Sequence, residues 1–415
     1  MDWITEPERR IPLLEKVDVL VCGGGFAGVA AAVSAAKNGA KVLLLEKYGF
    51  LGGLVTTALV ITTPPLNNGI NREIHRRLQQ KSVYARCPNS GEEDELHAID
   101  PEIVKYELFS LLKENGVDFI LHTYVVGSIM DRDIIKGVII ENQGGRQAIL
   151  AGVVVDTTGD AAIAAFAGAP FRLVKKPMTM MFNMVGVDIK RALGHLEGNW
   201  GNIRKLVQEA IDNKGLSFEL GVFRNFGAPG VSAEKLVYDD EVNLWSGNLL
   251  DMDGTNPRDL TRAEVVTREH AMRLAEFLKR RLAGFEQSRI EYTATQVGVR
   301  ATRQIIGERI PSLEEVRKQR FADTVAKPYL EQEMRLPYGS ILPQKIDNLL
   351  VAGRCISAAE EAMGKLRLIP VCSATGEAAG TAAALALREK IPPRNLDRPF
   401  LQKTLKKQGV DLGLG

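Results

Sequence analysis

The chain has 415 residues, 45% hydrophobic and 25% charged, with 53 Lys and Arg against 51 Asp and Glu for a formal net charge of +2. That length exceeds a single hydrophobic core and predicts two domains, and the apolar fraction excludes a disordered chain. Basic residues are scattered rather than massed, which gives no electrostatic case for nucleic acid or an anionic membrane as the main partner.

The opening stretch MDWITEPERRIPLLEK is charged and lacks the apolar core of a signal peptide, and no apolar run has the length of a membrane span. Cys22, Cys87, Cys355 and Cys372 form no CxxC or zinc-ligand spacing and His is rare, so neither a disulfide framework nor a metal site is expected and a reducing cytoplasm fits.

Residues 17–22 (VDVLVC) are an apolar, β-branched run that predicts a buried parallel strand. A glycine cluster follows at once, then an Ala-rich helix from about Gly28 to Asn38 closed by Gly39, then a second strand over 41–46 (KVLLLE). Residues 49–65 read as an extended loop, 69–81 and 101–115 as helices, the second with Pro101 in its first turn, and 82–98 as a surface loop. From 117 to 156 the turns DRD and QGG separate strands of a β-meander that ends in a further parallel strand. A different region follows, with a long helix over about 261–283. The strand NLLVAG (348–353) and an Ala/Gly-rich helix over about 374–388 then return to the style of the first domain. The expected fold is α/β: a Rossmann-type domain with a parallel central sheet and β-meander from 1–176 and 341–415, and an α+β substrate or cap domain, 177–340, inserted into it.

The turn Gly23-Gly24-Gly25-Phe26-Ala27-Gly28 fits G-x-G-x-x-G. The first glycine permits the tight turn, the second lets backbone approach a pyrophosphate, and the third lets helix and strand pack closely. Glycine-rich loops are common, but this one follows a strand, opens a helix and is answered by Glu46, 18 residues beyond Gly28. That is near the spacing of a carboxylate that accepts ribose hydroxyls and disfavours a 2′-phosphate. The bland alternative is a plain strand–helix turn with Glu46 a solvated charge.

Further segments resemble the glutathione-reductase-like flavoproteins. Lys47 and the Leu51-Gly52-Gly53 turn stand where the chain passes the FAD phosphates and ribitol in those proteins. Val154 to Asp160 resembles the turn beneath the adenosine, which implicates Thr158, Gly159 and Asp160. Asn348 to Arg354 resembles the strand that approaches the ribityl chain, with Gly353 and Arg354 beside it. The segment from Cys372, with Ala374, Thr375 and Gly376, resembles a helix start aimed at the flavin's N1/C2 edge. Together with the stretch from Val297 to Glu308, these segments resemble the FAD-dependent oxidoreductase family over 17–53, 153–168, 292–308 and 345–385. The resemblance implies FAD held non-covalently, because Tyr48 and Leu51 flank the glycine pair where covalent relatives carry His or Cys.

Candidates for substrate chemistry lie elsewhere. Arg300 and Arg303 are spaced i, i+3 and share one side if that stretch is helical. They can clamp a carboxylate bidentately, or pair with Glu308 or FAD phosphates. Arg367, in a loop with Arg354 and Lys365, is expected to touch flavin or substrate, against a solvated basic loop as the alternative. Tyr338 is either a proton donor or a packed tyrosine. His270 is expected to be exposed on a charged helix, Asn243 and Trp245 to lie on a strand or line a pocket, and Cys355 and Cys372 to flank the flavin loop without a CxxC that would support a dithiol relay. The leading reading is an FAD-dependent oxidoreductase transferring hydride between a small polar organic substrate and flavin N5. A tRNA-modifying flavoprotein and an electron-transfer subunit are the alternatives. No second G-x-G-x-x-G indicates a tightly bound pyridine nucleotide. The electron acceptor, reaction direction, substrate and any homo-oligomerisation stay open.

Overall fold

The computed structural model describes residues 4–90, 95–217, 222–223 and 228–414. Strand β1 (Leu13–Cys22) is exposed at its start and fully buried over Val19–Cys22. Helix α1 (Phe26–Lys37) is buried from Phe26 to Ala35, as its run of Ala allows, and β2 (Val42–Leu45) is buried throughout. Helices α2 (Ile70–Gln80) and α3 (Pro101–Glu114) follow, the latter capped by the Asp100 side chain with Pro at its first turn. Strands β3 (Asp118–Ile120), β4 (Tyr124–Asp131), β5 (Ile134–Asn142) and β6 (Gly145–Asp156) come next.

These strands form one sheet in the order β3-β2-β1-β6-β5-β4. Parallel pairing runs from β3 through β2 and β1 to β6, and antiparallel pairing through β5 to β4. The far edge of β6 is shared. Its first half pairs with β5, and its last residues pair in parallel with β11 (Leu349–Val351), Leu349 opposite Val154 and Val351 opposite Asp156. The period-two alternation divides the sheet's side chains between two cores. Val19, Val21 and Val155 pack with α1 and with α5 (Ile369–Glu389), whereas Leu20, Cys22 and Val154 pack on the opposite face.

The insert has a core of its own. Strands β7 (Met181–Val185), β8 (Val231–Lys235), β9 (Val242–Ser246) and β10 (Arg289–Thr293) form an antiparallel sheet in the order β8-β9-β7-β10, packed with the long helix α4 (Pro257–Arg281). Its apolar cluster runs from Met178 to Val297, with Val299 packed against it. The expected insert extended to 340, but Val316, Tyr329, Leu336 and Tyr338 contribute to the first core beside α5. The segment 82–98, expected as a loop, instead contains antiparallel strands at Tyr84–Arg86 and His97–Ile99, with 91–94 outside the described residues. Among the described residues no helix is long and apolar enough to cross a membrane, and no group of His, Cys, Asp and Glu could hold a metal.

Candidate active site

The glycine turn closes between β1 and α1 as its spacing predicts, and the protein's own atoms require two of its three motif glycines. Gly23 has φ of +115°, and a Cβ there would lie 2.5 Å from the Thr157 carbonyl oxygen. A Cβ on Gly28 would lie 1.7 Å from the Gly23 carbonyl oxygen. Gly25 differs: its φ is −73°, and an added Cβ would find nothing nearer than the Gly53 Cα at 3.6 Å. The protein's own atoms do not demand a glycine at 25. The N-cap Gly25 gives α1 no side-chain cap.

Glu46 is buried beside this turn. Its Oε2 accepts from the Gly24 N–H at 2.6 Å and its Oε1 from the Tyr48 N–H at 3.0 Å. Burial pushes its carboxyl up, while the backbone donors of Tyr48 and Gly24 oppose that shift. The second glycine pair returns alongside the first turn, where the Gly52 N–H donates to the Gly24 carbonyl at 2.9 Å and Gly25 and Gly52 form a parallel bridge. Lys47 is exposed and stands over the Tyr48 ring, whereas Leu51 is fully buried. The Tyr48 hydroxyl donates to Gln296, whose Nε2 donates to Thr57 Oγ1 at 3.0 Å, so the insert is tied to the glycine loop. Neither Gln296 nor Thr57 carries a sequence signal that would have singled it out.

The turn after β6 is held by Asp156, a residue the motif reading passed over. Fully buried, it accepts from Thr158 N and Oγ1 and from the N–H groups of Ile163 and Ala164, capping the short helix Ala162–Phe166. Gly159 has φ of +76°, and a Cβ there would meet the Arg354 guanidinium at 2.5 Å. Asp160 accepts from Thr302 Oγ1 at 2.8 Å and lies 3.5 Å from Arg354. Arg354 also donates to the Val299 and Arg300 carbonyls at 2.9 and 3.2 Å.

Helix α5 begins at Ile369, not near Cys372, with Pro370 in its first turn. Ala374, Thr375 and Gly376 therefore lie inside the helix. Thr375 Oγ1 accepts from the Gly353 N–H at 3.1 Å, and a Cβ on Gly376 would lie 2.0 Å from the Ala27 carbonyl oxygen. Gly380 stands in the same relation to Ala31, at 1.9 Å. Gly353, with φ of +88°, faces Ala27. The glycine turn and the first turns of α5 are thus neighbours. From Gly376 back to Ile369 the helix rises about 10 Å.

Arg300 is not on a helix. It follows the short strand Gly298–Val299, and its Nη1 donates to the Pro177 carbonyl at 2.7 Å and to Thr179 Oγ1 and Asn248 Oδ1 at 3.0 Å, with the guanidinium over the Trp245 ring. Arg303 turns away toward the Phe171 ring and the Asp160 carbonyl, and Glu308 pairs with Arg394. The Arg367 guanidinium makes no hydrogen bond or ion pair among the described residues. Burial first and Arg367 second bring Arg300 down to about 9, and burial first and Arg354 second bring Arg367 down to about 10. Arg300 and Arg367 both remain charged at neutral pH.

Tyr338 does not join this group. It is fully buried, its hydroxyl donates to the Pro393 carbonyl at 2.9 Å, and Arg398 covers its ring. His270, expected at the surface, is buried on α4. Asn243 and Trp245 do lie on a strand, β9. The thiols of Cys355 and Cys372 are both buried, and burial pushes Cys372 up to about 11.

This chain belongs to the FAD dependent oxidoreductase family, whose profile matches residues 18–329 and 328–405. It is an oxidoreductase, and its cofactor is FAD. Digeranylgeranylglycerophospholipid reductase 1 of Methanococcoides burtonii is 29% identical over 199 residues, 43% of this chain and 47% of that protein, so the match spans about half the length of this curated relative. Among solved structures, a geranylgeranyl bacteriochlorophyll reductase-like protein of Thermoplasma acidophilum is similar with a TM-score of 0.54 and 15% identity, over 95% of this chain and 83% of that one. A p-nitrophenol 4-monooxygenase of Pseudomonas putida is similar with a TM-score of 0.53 and 15% identity, over 95% of this chain and 89% of that one. At these identities the structures show a shared fold, that of Rossmann-type FAD-binding flavoproteins.

Proposed function

We propose that this oxidoreductase holds FAD non-covalently from Glu46, past the Gly23–Gly28 turn, to the first turn of α5, and acts on a small polar organic substrate beside Arg367 and Arg300. The single observation that carries the reading is Gly25, a glycine at the mouth of an uncapped helix that no neighbouring atom of the protein requires. A ligand backbone close to this turn does require it. FAD when bound supplies hydride transfer at N5.

The chain's own residues have separable tasks. Each Glu46 oxygen keeps a lone pair beyond its backbone donor and can accept a ribose hydroxyl. The N–H groups of Phe26, Ala27 and Gly28 offer the pyrophosphate unsatisfied donors at a positive helix end. Gly52 and Gly53 keep the facing stretch of chain free of side-chain bulk, and the turn of Thr158, Gly159 and Asp160 adjoins the glycine turn through Thr157, whose Oγ1 donates to the Gly23 carbonyl at 2.8 Å. The start of α5, about 10 Å along the helix from Ala27, favours negative charge on the flavin's pyrimidine edge. The narrower kinship with glutathione-reductase-like proteins rests on the order of these segments.

Purified protein should be yellow, with a flavin absorption spectrum and about one FAD per chain released on denaturation. Protein that is colourless and takes up no FAD on reconstitution would sink the reading. An anaerobic screen of small metabolites for bleaching of the bound flavin then reports substrate class and direction together.

A further inference from the structure

We propose that the protein has a second ligand site, separate from the path of FAD, in the cavity between the start of α3 and the insert sheet, and that it receives an organic ammonium ion whose charge meets Glu241.

The cavity, of about 460 Å³, has the size of a small-molecule site. One wall is the first turn of α3, and the others are the chain joining β8 to β9 and the strand β10. None of its lining residues belongs to the glycine turn, the second glycine pair, the 158–160 turn or α5. Its charge is one-sided, with Asp100, Glu102, Asp240, Glu241 and Glu291 set against Arg289. The fold itself explains three of these acids. Asp100 caps α3 and accepts from the Tyr238 hydroxyl at 2.7 Å, Glu102 pairs with Lys105 at 2.6 Å, and Asp240 accepts from the Gly186 N–H at 3.1 Å. Glu291 and Arg289 are exposed.

Glu241 is different. It is only 6% exposed, yet it lines the cavity and has no ion pair among the described residues. Asn183 Nδ2 donates to its Oε1 at 2.9 Å and to the Tyr292 hydroxyl at 3.1 Å, and the Asn183 amide is itself held by Asn243 at 2.8 Å. Oε2 receives no hydrogen bond from a described residue. A carboxylate taken out of water ordinarily has a cation or several donors, because leaving its charge unanswered is costly. Burial above all pushes Glu241 up to about 7 against the Asn183 donor, and the neighbouring Glu291, Asp100 and Asp240 add to the rise. The sheet therefore fixes one oxygen and leaves the other to a cavity with excess negative charge. Ile61, Val185 and Leu236 line the same space beside Tyr292, so a carbon stem finds apolar contact while ammonium N–H groups reach Oε2. Among the described residues no group of His, Cys, Asp and Glu could hold a metal, which favours a cation with such a stem over a bare ion.

The test is calorimetric titration of the purified full-length protein with 1,4-diaminobutane and n-butylamine, each beside its alcohol, 1,4-butanediol or n-butanol, and with magnesium chloride. At least one amine should bind saturably and its alcohol should not. Glu241→Gln keeps the shape and the acceptor for Asn183, and should weaken binding about 10- to 100-fold with flavin content unchanged. Arg289→Gln, at an exposed position, should tighten binding about 2- to 5-fold by removing a cation from the lining. Wild type that binds neither amine, or binds the alcohols equally well, overturns the proposal, as does Glu241→Gln binding amines like wild type. Magnesium displacing the amine would make this a metal site, weaker binding by Arg289→Gln would make it an anion site, and loss of flavin from Glu241→Gln would put the carboxylate with the cofactor. Each of these also overturns it. Should Glu241→Gln fail to fold, the contrast of amine with alcohol and the sign of the Arg289→Gln effect decide.

Discussion

Replacing two glycines of one motif by alanine should separate ligand binding from folding. At Gly25 the new methyl finds its nearest neighbour 3.6 Å away and the backbone, at φ of −73°, is open to any residue. Ala loses less chain entropy on folding than Gly, a gain of roughly 0.4–1 kcal/mol, but is a poorer N-cap by about the same amount. The apoprotein should therefore stay within about 0.5 kcal/mol of wild type. FAD has no such latitude. A methyl in the path of the phosphates forfeits at least one charge-assisted hydrogen bond to the start of α1, about 1.5–3 kcal/mol, or roughly a 10- to 100-fold weaker cofactor. At Gly28 the methyl would lie 1.7 Å from the Gly23 carbonyl oxygen and 2.8 Å from Thr157 Oγ1, which is itself bonded to that carbonyl. Backbone must move, and the loss should be about 3 kcal/mol or more, above the usual range for a crowded core. Denaturant unfolding of the apoproteins, with FAD titrated by fluorescence quenching, resolves both arms. A Gly25→Ala protein that binds FAD as tightly as wild type, or that unfolds as readily as Gly28→Ala, refutes the assignment of the phosphates to this turn.

Other substitutions test the supporting structure. Asp156→Ala removes the acceptor of four donors in a fully buried turn and should cost about 3–5 kcal/mol in chemical unfolding, with Asp156→Asn between it and wild type. Burial pushes Glu377, which accepts from the Ile70 N–H, up to about 7 from an ordinary 4.5. Because the folded value is the higher one, its contribution is fully present below about 4.5 and lost as pH rises through 7. Wild type should therefore lose about 2–3 kcal/mol relative to Glu377→Gln between pH 4.5 and 8, and parallel stability profiles would refute this. Tyr338→Phe should cost about 1 kcal/mol through its lost bond to Pro393 and leave the flavin spectrum unchanged. Turnover falling further than the folded fraction would return its hydroxyl to the reacting groups.

What the sequence made legible was local. The strand, turn, helix and strand over 17–46 are written in β-branched runs, obligatory glycines and an Ala-rich helix, each readable within a few residues, and Glu46 falls where its spacing predicts. The start of α5 was within reach too, since Pro370 in a first turn is a start signal, but the glycines and small residues after Cys372 drew attention further along. The surroundings of Arg300 were not legible. Arg300 and Arg303 would share one side only on a helix, yet the strands beside and at them pair with partners 119 to 134 residues away, Met178 and Phe171 among them, and the two side chains diverge. The expected end of the insert at 340 misses for the same reason: Thr324–Ala326 packs against α5, far along the chain, and Val316 and Tyr338 join the same apolar cluster. Asp156 and Gln296 act through backbone groups or single long-range bonds and leave no periodic trace.

The seam between α1 and α5, closed at Gly376 against Ala27 and Gly380 against Ala31, joins stretches some 350 residues apart. A ribosome therefore delivers the nucleotide-cradling turn long before the helix that completes it. Until that helix emerges, α1 presents an uncovered alanine face that is prone to stray association. Closure of the domain is thus a late event in biogenesis, after most of the chain has been made.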